Sequence, residues 1–186
     1  MWNAPNSLTF LRLALIPIFV AAFYLLPDHV AHVSTTALFA LAAITDWLDG
    51  YLARKLGQTS QFGAFLDPVA DKLMVAVALV LLVSESPGAW LAIPAVVIIG
   101  REIAISALRE WMALIGERAK VAVSYIGKIK TTVQMAALIM LLYRDPLLGI
   151  PIFEVGLALL YVAALLTLWS MIIYLRAAWP ALKPGR

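Results

Sequence analysis

Asp46-Trp47-Leu48-Asp49-Gly50-Tyr51-Leu52-Ala53-Arg54, followed after a short polar stretch by Gly63-Ala64-Phe65-Leu66-Asp67-Pro68-Val69-Ala70-Asp71, sets four carboxylates between two apolar runs, residues 29–45 and 73–84. On a helix, Asp46 and Asp49 are three apart and share a face. Gly50 and Ala53 follow Asp46 by four and seven, so they lie on that face and remove bulk beside the carboxylates. In the second part Gly63, Asp67 and Asp71 recur every four residues and form another stripe. Pro68 fits only if that helix starts close by, because proline suits the first turn. The stretch therefore predicts two consecutive helices, each offering two carboxylates and small residues to a shared groove.

Outward from this groove the chain is too apolar for a soluble globule. Of its 186 residues, 63% are hydrophobic and 13% charged, against about 45–50% and about 25% in soluble domains. The length suits one domain, residues 1–186, with no room for a separate soluble catalytic unit. A net charge of +3 gives no nucleic-acid signal. The absence of cysteine excludes disulfides, thiol nucleophiles and Cys-based metal sites. His29 and His32 fit a wet turn at a membrane surface better than a metal site.

Charge-free runs occupy residues 13–27, 29–45, 73–84, 86–100, 131–143 and 155–175. Only the last reaches the roughly 20 residues a span needs, so the other helices must continue through charged residues at one end. If six spans alternate, the charged ends all fall on one side: Arg12, then Asp46 to Arg54, Asp67 to Lys72, Arg101 to Glu110, Lys128 with Lys130, and Arg176. Thirteen of the fourteen Lys and Arg lie on that side, with Arg144 alone opposite. The positive-inside rule makes it the cytoplasmic side, with both termini and the carboxylates there. The reading is an all-α polytopic membrane protein of six transmembrane helices. Residues 1–10 lack the pattern of a cleavable signal peptide and read as an amphipathic juxtamembrane segment at the interface.

Burying carboxylates is expensive. One Asp at mid-membrane costs about 2.5–3.5 kcal/mol, so four cost on the order of 10–14 kcal/mol, comparable to the stability of a whole domain. Cations or protons must offset their repulsion. Four carboxylates without His or Cys are hard oxygen ligands suited to Mg²⁺ or Mn²⁺, and two such ions held together suit in-line displacement at phosphorus. Helix capping, or pairing with Arg54 and Lys72, is the plainer reading of any single Asp. A cation transporter also buries carboxylates, but usually near the midplane with broken helices.

The spacing D-x2-D-G-x2-A-R-x8-G-x3-D-x3-D is complete in Asp46, Asp49, Gly50, Ala53, Arg54, Gly63, Asp67 and Asp71. In it the chain resembles the CDP-alcohol phosphatidyltransferase family. Three flanks, residues 3–12, 101–111 and 127–134, resemble one branch, the bacterial enzymes that make phosphatidylglycerophosphate for the phosphatidylglycerol and cardiolipin route. The resemblance implies a homodimeric enzyme of the bacterial inner membrane. It would move a phosphatidyl group from CDP-diacylglycerol to glycerol 3-phosphate and release CMP. It also implies two Mg²⁺ or Mn²⁺ ions on Asp46, Asp49, Asp67 and Asp71, with Asp71 also the general base. Asp49, Gly50, Ala53, Arg54 and Gly63 would meet the CDP-lipid.

The acceptor's phosphate needs its own cations. Arg101 and Arg109 are eight apart and share a face at the charged end of span four. Lys128 and Lys130 are two apart and do not share one, so Lys130 is taken with the arginines and Lys128 stands behind. Snorkelling to anionic lipid is the alternative for each. Such a set favours a phosphorylated acceptor, glycerol 3-phosphate or inositol phosphate, over serine. Glu102 and Glu110 adjoin the arginines and are expected to pair with them. Asn6 and Thr9 face either the headgroup or nucleotide, or, for Asn6, a helix cap. Trp47 and Trp111 read as interface anchors.

Overall fold

The computed structural model describes the backbone of residues 4–56, 61–116 and 125–182. Within these, the side chains of residues 4–6, 47, 50–54, 56, 61–62, 64, 125–126, 128 and 180–182 lie outside the described set. The described chain forms six α-helices: α1 (Ala4–Leu25), α2 (Asp28–Leu56), α3 (Gln61–Glu85), α4 (Ala89–Leu114), α5 (Tyr125–Tyr143) and α6 (Ile152–Leu182). Each extends beyond its charge-free run, as the spacing of the runs requires. α5, with 19 residues, is about 28 Å long at 1.5 Å per residue, close to the hydrocarbon thickness of a bilayer. By length and composition α4 and the apolar stretches Ser7–Leu25 and Ile152–Trp179 can cross a membrane. α2 and α3 are interrupted by the carboxylates.

One sequence expectation changes. Pro68 lies inside α3, seven residues after its start at Gln61, rather than in the first turn. Its ring removes the N–H that would bond the carbonyl of residue 64, and the missing bond falls beside Asp67 and Asp71 at the polar end of the helix. From residue 4 the chain already belongs to α1, and Thr9 is fully buried.

One apolar cluster draws on all six helices. Phe19 of α1, Phe39 of α2, Leu79 of α3, Ile98 of α4, Leu138 of α5 and Leu160 of α6 are each completely buried in it. α4 shows how the pattern works. Its buried residues Leu91, Ala95, Ile98, Arg101, Ile105 and Met112 recur at three, four or seven positions, which is one face of a helix. On its other side Ile93, Val96 and Ile103 are exposed, and α6 exposes Leu165 and Trp169 likewise. An apolar outer face of this extent suits lipid rather than water. A second, smaller cluster joins Ile105 and Met112 of α4 to Tyr174 and Ala178 of α6.

α1 packs on α2 and α3, α4 on α6, and α5 runs along α6. At Gly156 of α6 a methyl group would sit 2.9 Å from Met140 Cβ and 3.1 Å from the Leu141 nitrogen. Only glycine permits that approach of α6 to the α5 backbone. Helix hydroxyls are absorbed locally: Thr36 donates to the His32 carbonyl at 2.7 Å and Ser106 to that of Glu102 at 2.6 Å, the usual way to satisfy such groups in an apolar helix.

The end of the bundle opposite the four Asp is closed by the α1–α2, α3–α4 and α5–α6 connections. Arg144 there is left-handed at φ 64 and ends α5. Its guanidinium pairs with Glu85 at 2.7 Å, donates to Ser86 Oγ at 2.6 Å and lies over the Phe153 ring. His29 Nδ1 lies 2.8 Å from Asp145 Oδ2 and His32 Nε2 3.4 Å from Glu85 Oε1. The two histidines therefore belong to a polar surface network. The hydrogen bond with His29 holds the Asp145 carboxyl below the usual aspartate range.

Candidate active site

Three helices bring the acidic cluster together. α2 supplies Asp46 and Asp49, α3 supplies Asp67 and Asp71, and α1 inserts Arg12 between them. Thr9 and Arg12 are one turn apart and both buried. Arg12 Nη1 meets Asp46 Oδ1 at 2.5 Å. Its Nη2 donates to Asp49 Oδ2 and lies 3.6 Å from Asp67 Oδ1. Thr9 Oγ1 donates to the same Asp67 oxygen. One guanidinium, with 2% of its side chain exposed, thus faces three carboxylates. In a low-dielectric interior a single positive charge cannot balance three negative ones, so the cluster retains an excess of negative charge.

Asp49 is buried at 4%, whereas Asp46 and Asp67 keep 45% and 37% of their side chains exposed. Each of the three uses one oxygen in these contacts. The donor set is therefore hard, oxygen-only and under-neutralised, which fits a divalent cation. Among the described residues no three carboxylate or imidazole groups converge with the geometry of a metal site; Arg12 stands where they would meet. Gly63 is buried beside Asp67's helix turn. The side chains of Asn6, Gly50, Ala53, Arg54 and Lys128 lie outside the described residues.

A cationic pocket of about 160 Å³ adjoins, lined by Arg101, Glu102 and Arg109 of α4, Lys130 and Thr131 of α5, and Tyr174 of α6. Arg101 and Lys130 are buried. Arg101 falls on the inward stripe of α4, so its burial follows from helix phase. It donates to Ser170 Oγ at 3.0 Å and to Glu102 Oε1 at 3.2 Å. Lys130 donates to the same Glu102 oxygen. Arg109 donates to the Tyr174 hydroxyl at 2.8 Å. The guanidinium groups of Arg109 and Arg101 lie 5.0 and 5.6 Å from the centre of the Tyr174 ring, whose π face attracts cations. Three cations against one carboxylate leave a net positive pocket with forked donors, the arrangement that recognises phosphate.

Between the two clusters lies a small cavity of about 60 Å³, reached by Asp71, Glu102 and Lys130. Asp71 therefore faces the cationic pocket, while the other three Asp face Arg12. An apolar groove of about 370 Å³ runs between α3 and α4, with Lys72 and Glu102 at its polar edge. Trp111 is partly exposed at the same end of α4.

The structure joins Arg101, Arg109 and Lys130 as the spacing suggested, and it adds residues that spacing did not single out. Arg12 was a charge at the start of a span; its signal was the one-turn separation from Thr9 and the missing countercharge of four Asp. Ser170 and Tyr174 were hidden in an apolar helix, where two polar groups four residues apart mark an inward polar face.

The family description CDP-alcohol phosphatidyltransferase matches residues 2–169. A protein of Sodalis glossinidius named CDP-diacylglycerol--glycerol-3-phosphate 3-phosphatidyltransferase is 57% identical over 178 residues, covering 95% of this chain and 94% of the relative. Proteins of the same name from Pseudomonas fluorescens, covering 97% of this chain and 92% of the relative, and from Haemophilus influenzae, covering 95% and 94%, are also 57% identical. Two adjoining clusters of opposite charge in a helical bundle, the family match over most of the chain and this identity agree: the chain belongs to the CDP-alcohol phosphatidyltransferases.

Proposed function

We propose that this protein transfers the phosphatidyl group of CDP-diacylglycerol to glycerol 3-phosphate, giving phosphatidylglycerophosphate and CMP. The observation that carries the reading is the adjacency of an under-neutralised acidic cluster and a three-cation pocket, joined at Asp71, Glu102 and Lys130. The relatives' shared name supports this choice of donor and acceptor.

In this reading Asp46, Asp49, Asp67 and Asp71 hold two Mg²⁺ or Mn²⁺ ions, which supply neutralisation of the donor pyrophosphate and of the charge that develops on leaving CMP. Arg101, Arg109 and Lys130 hold the acceptor phosphate, with Lys128 behind them. Asp71, facing the acceptor side, takes the proton of the acceptor hydroxyl. The hydroxyl oxygen bonds to the phosphorus that carries diacylglycerol, and the bond from that phosphorus to the CMP oxygen breaks. Arg54 reaches the nucleotide phosphate, while Gly50, Ala53 and Gly63 leave room for the nucleotide. The apolar groove between α3 and α4 takes an acyl chain. The chain forms a single membrane domain of six spanning helices in the bacterial inner membrane. Both termini and the site face the cytoplasm, and it works as a homodimer.

The test is CMP release from CDP-diacylglycerol by purified protein in detergent with Mg²⁺. Glycerol 3-phosphate, inositol phosphate, serine and no acceptor are compared, with and without chelator. Release that needs both the metal and glycerol 3-phosphate is the expected result. Release with another acceptor overturns the acceptor assignment, and absence of CMP with every acceptor overturns the enzyme.

A further inference from the structure

Gln134 lies on α5 one turn beyond Lys130, on the same face. Only 4% of it is exposed, and its carboxamide oxygen is buried with no hydrogen-bond partner. It lines the small cavity that Asp71 and Lys130 also line. Buried amide oxygens are paired in native proteins, and an unpaired one costs free energy. Thr35 and Thr45, buried polar residues elsewhere in the bundle, have local carbonyls. Gln134 instead carries an unpaired buried acceptor on a side chain that lines a cavity shared with Asp71 and Lys130.

Three groups then border the space the proposed acceptor would occupy. Lys130, with Arg101 and Arg109, marks the phosphate end. Asp71 marks the end where a hydroxyl loses its proton. Gln134 lines the same small cavity as Asp71 and Lys130, one helical turn, about 5.4 Å, from Lys130 along α5. A phosphorylated triol fragment spanning the two ends carries one hydroxyl in the middle, on the carbon between the phosphate ester and the attacking oxygen.

We propose that Gln134 is a specificity-determining residue: its carboxamide oxygen accepts a hydrogen bond from the acceptor's central, non-reacting hydroxyl and so aligns the terminal hydroxyl on Asp71. This inference rests on the reading of glycerol 3-phosphate as acceptor. Sites that hydrogen-bond a substrate hydroxyl discriminate strongly against analogues lacking it, because the buried partner is then left unpaired.

The test compares glycerol 3-phosphate with 3-hydroxypropyl phosphate, which keeps the phosphate and the terminal hydroxyl but lacks the central one. The readout is the ratio of kcat/KM for the two acceptors within each preparation, which is independent of the fraction folded. Wild-type protein is expected to favour glycerol 3-phosphate by about 10- to 100-fold. Gln134→Leu should bring the ratio close to one, mainly by loss on glycerol 3-phosphate. Gln134→Glu, which keeps an acceptor oxygen, should retain a preference. A wild-type ratio near one, or a Gln134→Leu ratio equal to wild type, overturns the role of Gln134 and leaves the proposed reaction standing. Failure of wild-type protein to turn over glycerol 3-phosphate, with release from a different acceptor, overturns the reading and this inference with it.

Discussion

The two ends of the bundle are both polar, yet they balance charge differently. At one end Arg12, almost wholly buried, faces Asp46, Asp49 and Asp67, and Asp71 lines the next cavity. At the other, Arg144 pairs with Glu85 and His29 with Asp145, and His29 is 78% exposed. The closed end matches acid to base in water, where such pairs contribute little. The Asp end sets one buried guanidinium against three carboxylates, of which Asp49 is itself buried, so removing that guanidinium leaves a buried charge unpaired. The difference lies in the matching: charges pair one to one at the closed end, and one to three around Arg12.

The comparison breaks most visibly at Asp71. Asp71→Asn should lower CMP release by about 10²- to 10⁴-fold, with the protein still folded by circular dichroism. Glu85→Gln at the other end should leave the rate within about twofold, as expected of an exposed pair. Equal losses at both ends would remove the distinction. Arg12→Ala comes next. It strands the buried Asp49 carboxylate and should cost about 3–5 kcal/mol in metal-free buffer. Thermal unfolding in detergent reads this, and Mg²⁺ should restore part of the lost Tm. A Tm insensitive to both the substitution and the metal would mean the cluster carries no excess charge.

Tyr174→Phe sharpens the comparison inside the site end. It keeps the ring beneath both guanidinium groups and removes only the hydroxyl that Arg109 donates to. KM for glycerol 3-phosphate should rise about fivefold, for the loss of about 1 kcal/mol of hydrogen bonding, with kcat changed less. The smallest effect belongs to Asp145. Its carboxyl is held low in the folded protein, so it adds stability above the unfolded value of about 3.9, and that contribution is lost as pH falls through the lower folded value. Asp145→Asn should therefore lower Tm slightly at neutral pH, converge with wild type once pH falls below the folded value, and so flatten the acid limb of a Tm-against-pH profile. An unchanged acid limb would show that the pair with His29 contributes nothing.

Much of this was legible in residue spacing. Carboxylates at three- and four-residue intervals beside apolar runs could only be helix faces, and Arg101 and Arg109, eight apart, could only share one. Those are local, periodic facts. Arg12 and Ser170 belong to the site through contacts 34 to 69 residues away in sequence. Nothing in the phase of α1 or α6 alone names their partners. Pro68 misled for a related reason. Propensity places proline in a first turn, but a helix continued by packing tolerates it seven residues inside. The unpaired oxygen of Gln134 is likewise invisible until three helices are assembled around it.

The glycine contact between α5 and α6 has a reach beyond its own neighbourhood. Leu141, against Gly156, is eleven residues along α5 from Lys130, or about 16 Å. The two helices form a lever arm with its pivot at Gly156. One end is a contact of van der Waals tightness; the other carries Lys130 and Gln134 across from Ser170 and Tyr174. A methyl group at the pivot would part the arms, so the spacing between Lys130 and Tyr174 depends on a residue that approaches neither.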